Sequence, residues 1–288
     1  MGIAGSAAIG TGPAELTWRG HALGAEAKVT FANLDRARAQ LALRELLQEV
    51  ERLENIFSLY RPNSELSRLN RDRVLSHPSQ DFRALLAASL NYWQGTGGAF
   101  NPAVQPLWEY LARHFAATSN PPCRHDLHRL AQACNPADIE IRLSQIRLKA
   151  GMALTFNGIA QGYITDRAVQ ILNRHGIGQT LVNFGEFHAL PGKPWRLQMG
   201  QTRRLLPLEN AAMAVSAGNG TRFSADGRWH HLIDPATGTS CNTLRTVTVI
   251  AETAIEADAL ATAFYVAPAE RRAAIVRRYP GCTIFPEA

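Results

Sequence analysis

An aspartate and a threonine four residues apart in an otherwise apolar run are where a chemical reading of this chain begins. They are Asp258 and Thr262, within EADALATAFYV (256–266). Ala257, Leu260, Ala261, Ala263, Phe264 and Val266 leave that segment almost no polar face, which predicts a helix enclosed by the protein. Residues i and i+4 of a helix lie one above the other on the same side. An ionised carboxylate in such a place is costly unless something neutralises it. A hard divalent cation would do so, with the hydroxyl as second oxygen ligand and phosphate oxygens and water filling the rest of the shell. The competing reading is that Asp258 caps a short helix or pairs with a buried arginine.

Other stretches offer partners for that site. In NGIAQGYITDRAV (157–169), Gly158 and Gly162 flank the start of a helix whose free amides could face an anion. The alternative there is a tight turn with Asp166 in a surface ion pair. HHLIDPATG (230–238) joins two histidines to a rigid Asp234-Pro235…Thr237-Gly238 turn. His231 alternates with Ile233 and so could point into a site, for proton transfer or a phosphate contact, while Leu232 packs the other way. AVSAGNGTRF (214–223) ends a strand in a Ser216-led loop suited to phosphate or ribose, and LVNFGEFHAL (181–190) places Gly185-Glu186 at the end of a buried strand. A plain turn is the alternative for both. Tyr60, in FSLYRPNSELSRLN (57–70), could stack on a flat ring or be half-buried packing.

Elements that would position these groups follow from periodicity and punctuation. GHALGAEAKVTF (20–31) reads as a strand, and a long helix begins at Asn33 or Asp35, with Leu43, Leu46, Leu47, Val50, Leu53 and Phe57 on one face. Pro62 and Asn63 break the pattern. A helix covers roughly 80–94, the segment 106–135 is helical apart from a loop at 119–123, and 138–150 reads as a hairpin about Ser144-Gln145. A helix follows the glycines near 158, then a buried strand at 179–186 and strands at 195–200, 212–216 and 246–251. A helix at 268–278 and a strand at 282–285 close the chain. Strands and helices mix without strict alternation, which predicts an α+β fold.

The 288 residues, 46% hydrophobic and 19% charged, describe a globular protein with ample chain for a core. A net charge of +6, scattered over arginines, suits an anionic ligand and gives no support for nucleic-acid binding. The cysteines, at 123, 134, 241 and 282, have no metal-finger spacing; Cys123 and Cys134 are either a disulfide or two free thiols. Residues 1–13 are small, apolar and uncharged, as in an export signal without its basic start or a loose tail, with the main domain spanning 14–288.

Taken in order, six of these pieces resemble the FAD:protein FMN transferase family, often called ApbE: FSLYRPNSELSRLN, GAFNPAVQPLWEYL (98–111), NGIAQGYITDR, LVNFGE, HHLIDPATG and EADALATAFYV. The resemblance implies a single α+β domain of mixed sheets packed with helices, with FAD in a central cleft beside magnesium. It implies transfer of FMN from FAD to a threonine or serine hydroxyl of a target protein, with release of AMP. It implies Asp258, Thr262 and the Ala160 carbonyl as metal ligands, and His231 or Asp258 as the catalytic base. Tyr60, Glu65, Asn101, Asn157, Gly158, Gln161, Asp166, Glu186, Ser216, Asp234 and Thr237 fall in motifs that line the flavin site or shape it. The chain departs from the commoner family form: Asn157 and Gln161 stand where aspartate and lysine are usual, and Asn101 where aspartate is frequent. These variants and the export-like start resemble a periplasmic, NosX-type branch, exported by a twin-arginine signal, whose flavin acceptor would be a membrane-bound redox protein of the NosR type. A protein that only carries FAD, or a diphosphatase giving FMN and AMP, would use the same site.

Overall fold

The computed structural model describes residues 7–9, 15–22, 24–200, 202 and 204–288. The expected export remnant or tail at 1–13 lies outside the described residues, apart from Ala7–Ile9, which form strand β1. Strands β2 (Glu15–Ala22) and β3 (Ala25–Ala32) follow as an antiparallel hairpin. The single strand expected at 20–31 is therefore two, reversing at Gly24, whose φ of 79° suits a residue without a Cβ. Alanines at 22, 25, 27 and 32 gave that reversal no alternation to show.

Helix α1 (Arg36–Phe57) starts where expected, with Asp35 accepting the Arg38 N–H at 3.0 Å. Its buried stripe runs through Ala39, Ala42, Leu46, Val50, Leu53 and Phe57. Helix α2 (Glu65–Asp72) was not expected. It begins just after the Pro62-Asn63 break, capped by Ser64, and buries only Leu66 and Leu69. Then come β4 (Val74–Ser76), α3 (Gln80–Gly95), α4 (Gln105–Ala117) and α5 (Arg124–Ala133). The hairpin at 138–150 is β5 (Glu140–Ile141) and β6 (Gln145–Arg147), and β6 also pairs with β4.

Helix α6 (Ala160–Arg174) leads into β7 (Thr180–Asn183) and β8 (Phe187–Ala189). The strand expected at 179–186 thus stops early, because Gly185, at φ 101°, turns the chain back on itself. The rest comprises β9 (Trp195–Gln198), β10 (Leu205–Leu208), β11 (Ala211–Ala217), β12 (Thr246–Ala251), α7 (Ala254–Val266), α8 (Ala269–Arg278) and β13 (Thr283–Glu287).

Eight strands form one sheet in the order β1-β2-β3-β7-β8-β11-β12-β13, every neighbouring pair antiparallel. Side chains alternate across it. Ala212, Ala214, Val247 and Val249 join the main core on one face, whereas Met213 and Ile250 join a small cluster on the other with Leu197 and Leu208 of the β9–β10 hairpin. On the core side α7 packs on β11 and β12, α6 on α7, β7 and β8, and α1 on α6 and β2. Helix α7 buries Ala257, Asp258, Leu260, Ala261, Phe264 and Val266 among others, as its composition foretold. A separate cluster of Leu107, Leu111, Leu127, Cys134 and Ile233 lies under α4 and α5. All four cysteines are free thiols. Among the described residues no helix is long and apolar enough to cross a membrane.

Candidate functional site

Helices α6 and α7 meet at Gly162. A Cβ there would lie 2.4 Å from the Ala254 carbonyl oxygen and 2.7 Å from Ile255 Cα, so only glycine lets the backbones approach. At this crossing the Gly162 N–H donates to Oδ2 of Asp258 at 3.1 Å. One turn along α6, Asp166 accepts the N–H groups of Ala254 and Ile255 at 2.8 and 2.9 Å. The start of each helix is therefore tied to a carboxylate of the other, the favourable placement for an anion.

Asp258 and Thr262 face a cavity of about 310 Å³, within the range of small-ligand sites. It is enclosed by the start of α6, the loop at 99–104, the turn after β7, the end of β11 and the segment 231–235. Asn101, Asn157, Gly158, Gln161, Glu186, Ser216 and His231 line it too, so these sequence-predicted residues converge. Thr262 Oγ1 lies 3.5 Å from Ser216 Oγ, and a Cβ on Gly158 would stand 3.0 Å from Thr262 Oγ1. Gly185 makes room for Gln161, whose Nε2 would be 2.3 Å from any Cβ at that turn. The segment before α6 is pinned by Phe156, packed edge-on against Phe57 and Phe82 with centroids 5.9 and 5.4 Å away.

A second cleft of about 200 Å³ adjoins the first, lined by Phe57, Ser58, Leu59, Tyr60 and Ala160, and sharing Asn157, Gln161 and His231 with it. Tyr60 is 74% exposed at its edge, so the half-buried packing role is excluded. Its loop is held by Arg61, which pairs with Glu51 at 2.5 Å and with Glu54.

The charge in the cavity is unusual. Asp258 and Glu186 are 4% and 7% exposed, and among the described residues no Lys or Arg lines the space around them. Burial pushes Asp258 up to about 7, against the lowering effect of the Gly162 N–H and with the charge of Asp166 adding to it. Burial, then the charge of Asp258, raises Glu186 well above the usual carboxylate range, although the Val215 N–H stabilises its anion. Glu186 Oε2 has no partner among the described residues. Asp258 caps the start of α6 through the Gly162 N–H and meets no arginine among the described residues, where its Oδ1 also has no hydrogen bond. Among those residues no three His, Cys, Asp or Glu side chains cluster as a metal site. What is present, two buried carboxylates and two hydroxyls without a fixed positive charge, is the donor chemistry of a hard cation that completes its shell from substrate and water.

His231 is held by Thr221: its Nδ1 is 3.2 Å from the Thr221 amide nitrogen and 3.3 Å from the carbonyl oxygen. A Cβ on Gly220 would touch its Cε1 at 3.0 Å. Burial lowers its pKa, so the ring is neutral near neutrality. Leu232, expected to point away, also lines the cavity.

Several expected site residues do other work. Glu65 accepts the Ser79 N–H at 2.9 Å and ties α2 to the start of α3, away from the cavity. Asp166 anchors the start of α7, lies 3.5 Å from Nδ1 of the buried His188 and does not line the cavity. Asp234 and Thr237 build the turn itself, with Asp234 accepting from the Ala236 N–H at 2.9 Å and the Thr237 hydroxyl at 3.0 Å, and only Pro235 of that turn reaches the cavity. Ala160 lines the adjoining cleft; as the first residue of α6 its carbonyl points into its own next turn. The α6 amides also serve differently than expected. Ala160 N–H donates to the Phe156 carbonyl at 2.7 Å and Gly162 N–H to Asp258, so the anion received there is the protein's own. Asn101 uses both ends of its amide, donating to the Cys134 carbonyl and accepting the Ala103 N–H, each at 2.8 Å. Asn219, Gly220 and Val215 line the cavity and were not singled out; the signal was the glycine-rich loop following Ser216.

Residues 23–285 match the model of the ApbE family. A FAD:protein FMN transferase of Treponema pallidum is 29% identical, over 87% of this chain and 79% of the relative. Another from Salmonella typhimurium is 24% identical over 95% and 84%. Among solved structures, the flavin transferase ApbE from Vibrio cholerae superposes with a TM-score of 0.79 at 21% identity, covering 96% of this chain and 97% of its own. The ApbE protein from Thermotoga maritima gives 0.81 at 23%, covering 95% and 94%. At these identities the structural likeness speaks to the fold, and the expected α+β architecture stands.

Proposed function

This chain belongs to the ApbE family, and on that premise we propose that it transfers FMN from FAD onto a threonine or serine hydroxyl of a target protein, with release of AMP. The observation that carries the reading is the convergence of Asp258, Thr262, Glu186 and His231 on one cavity that no Lys or Arg lines among the described residues. Relatives along most of its length bear the name FAD:protein FMN transferase.

Asp258 and Thr262 would hold magnesium, and Ser216 Oγ is near enough to contribute. A cation bound there neutralises charge on the diphosphate and on the oxygen that leaves. The flavin ring belongs beside Tyr60, Phe57 and Leu59, in the adjoining cleft. The acceptor hydroxyl oxygen attacks the phosphorus of the FMN half. The P–O bond to the AMP phosphate breaks, and AMP leaves with the bonding electrons. The hydroxyl proton passes to His231. Nδ1 faces both the Thr221 N–H, which donates to it at 3.2 Å, and the Thr221 carbonyl at 3.3 Å. The neutral ring acts as base at Nε2 in the tautomer that carries its proton on Nδ1, toward that carbonyl. Asp258 is the weaker candidate for this role, since Oδ2 already accepts from Gly162 and Oδ1 is assigned to the cation. Gln161 replaces a charged residue of the commoner family form with an amide, which leaves the cation a larger share of the neutralisation. The apolar start and this variant support a periplasmic setting and a membrane-bound redox acceptor of the NosR type.

Mixing protein, FAD, magnesium and an acceptor domain, then weighing the acceptor, tests the reading. A gain of one FMN supports transfer. Free FMN and AMP with an unmodified acceptor would mean hydrolysis, and unchanged FAD would mean carriage. Asp258→Ala should fold and lose all metal-dependent turnover; full turnover would overturn the metal assignment.

A further inference from the structure

Glu186 is a cavity carboxylate with a fully buried oxygen, Oε2, that finds no partner among the described residues. It is not a flexible surface acid. Its backbone sits in the tight turn between β7 and β8, beside Gly185 in left-handed conformation, and its carbonyl accepts the Thr165 hydroxyl at 3.4 Å. The Val215 N–H engages its carboxylate from the neighbouring strand β11, and Oε2 is left over. The side chain is 7% exposed and lines the same cavity as Asp258 and Thr262.

Two interior acids within electrostatic reach of one another, with no Lys or Arg among the described residues lining their cavity, can both be ionised only if a mobile positive charge lies between them; without one, a proton must take its place. Burial disfavours the charged form of His231, the other titratable side chain lining the cavity among the described residues. A diphosphate entering the cavity would add negative charge. We propose that Glu186 is a second carboxylate of the cation site, turned toward the ion that Asp258 and Thr262 hold, directly or through one of its waters. The protein's share of the ligand set then carries two negative charges, from elements far apart in sequence: the β7–β8 turn and α7. This inference rests on the reading that a cation binds at Asp258. It assigns to the glutamate a role distinct from hydrogen bonding to the nucleotide.

The test uses the full chain without nucleotide. Magnesium affinity is measured by calorimetry for the wild type, Glu186→Gln and Asp258→Asn, with the melting temperature of each in a chelator. Carboxylates close to a bound metal change its affinity on the order of 10–100-fold when neutralised. Glu186→Gln should therefore weaken magnesium binding by at least tenfold, and its metal-free form should melt higher than the wild type, because the repulsion is gone. Unchanged magnesium affinity in Glu186→Gln, with binding lost in Asp258→Asn, overturns this inference alone. Unchanged affinity in both variants overturns the underlying cation reading as well. If Glu186→Gln keeps its magnesium affinity but binds FAD more weakly, the glutamate reads the nucleotide and the inference fails.

Discussion

Replacing Gly162 by alanine tests whether the closeness of α6 and α7 builds the site. The new Cβ would meet the Ala254 carbonyl oxygen at 2.4 Å, where an ordinary contact begins at 3.4 Å. The obstacle is backbone on a helix packed against the sheet, so the helices must part by about 1 Å. Overpacking of this kind costs about 1–3 kcal/mol, and the rigid neighbour argues for the upper end. At roughly 2–4 °C per kcal/mol for a chain of this size, the melting temperature should fall by about 6–12 °C. The same parting draws the Gly162 N–H from Asp258, and a misplacement near 1 Å costs on the order of 100-fold in rate. Differential scanning fluorimetry reads the first effect and flavin transfer to an acceptor domain the second. Gly281→Ala is the control, with nothing within 4 Å of its Cβ. If Gly162→Ala melts within about 1 °C of the wild type, a margin set by ordinary surface substitutions, and transfers at the wild-type rate, the crossing does not hold the site and the reasoning is wrong.

His231→Ala should slow transfer by about 10²–10⁴-fold, the usual worth of a positioned base, while the FAD dissociation constant changes far less; fluorescence titration beside acceptor mass separates the two. Asn101→Asp should cost about 1–3 kcal/mol, since a carboxylate cannot donate to the Cys134 carbonyl; a melting temperature equal to the wild type's would refute it. Asp258 gives a pH signature. Its folded pKa, raised to about 7, lies above the unfolded value of about 3.9. The metal-free chain therefore gains stability from this group below the unfolded value and loses it as pH rises through about 7. Magnesium favours the ionised form, so the rise in melting temperature on adding it should be larger at pH 8 than at pH 5.5. An equal rise at both would count against Asp258 as ligand.

Helix α7 was legible in the sequence because an almost wholly apolar helix with an acid in its middle admits few environments, and the structure buries it as expected, with Asp258 inside and Glu256 at its first turn. The cavity was legible through residues whose chemistry is conspicuous: Asn157, Gly158, Gln161, Glu186, Ser216, His231 and Thr262. What could not be read was the aim of each carboxylate. Asp166 and Glu65 stand in motifs beside the site, yet both satisfy backbone amides, of α7 and of Ser79, that are far off in sequence. Nothing local separates an acid that faces a ligand from one that caps a distant helix. The short α2 was hidden for another reason: Pro62 and Asn63 read as a break, and a helix with two buried leucines has hardly any periodicity. The Gly162–Asp258 contact joins residues 96 apart, a pairing that helical spacing cannot express.

The imidazole of His231 forms part of the wall of both hollows, the one beneath Tyr60 and the one around Asp258. A shared partition means that whatever fills one chamber presses on the group that serves the other. If the proposed FAD spans both, communication between its two halves would need no hinge and no travelling loop, only a ring beside Gly220 and steadied by Thr221.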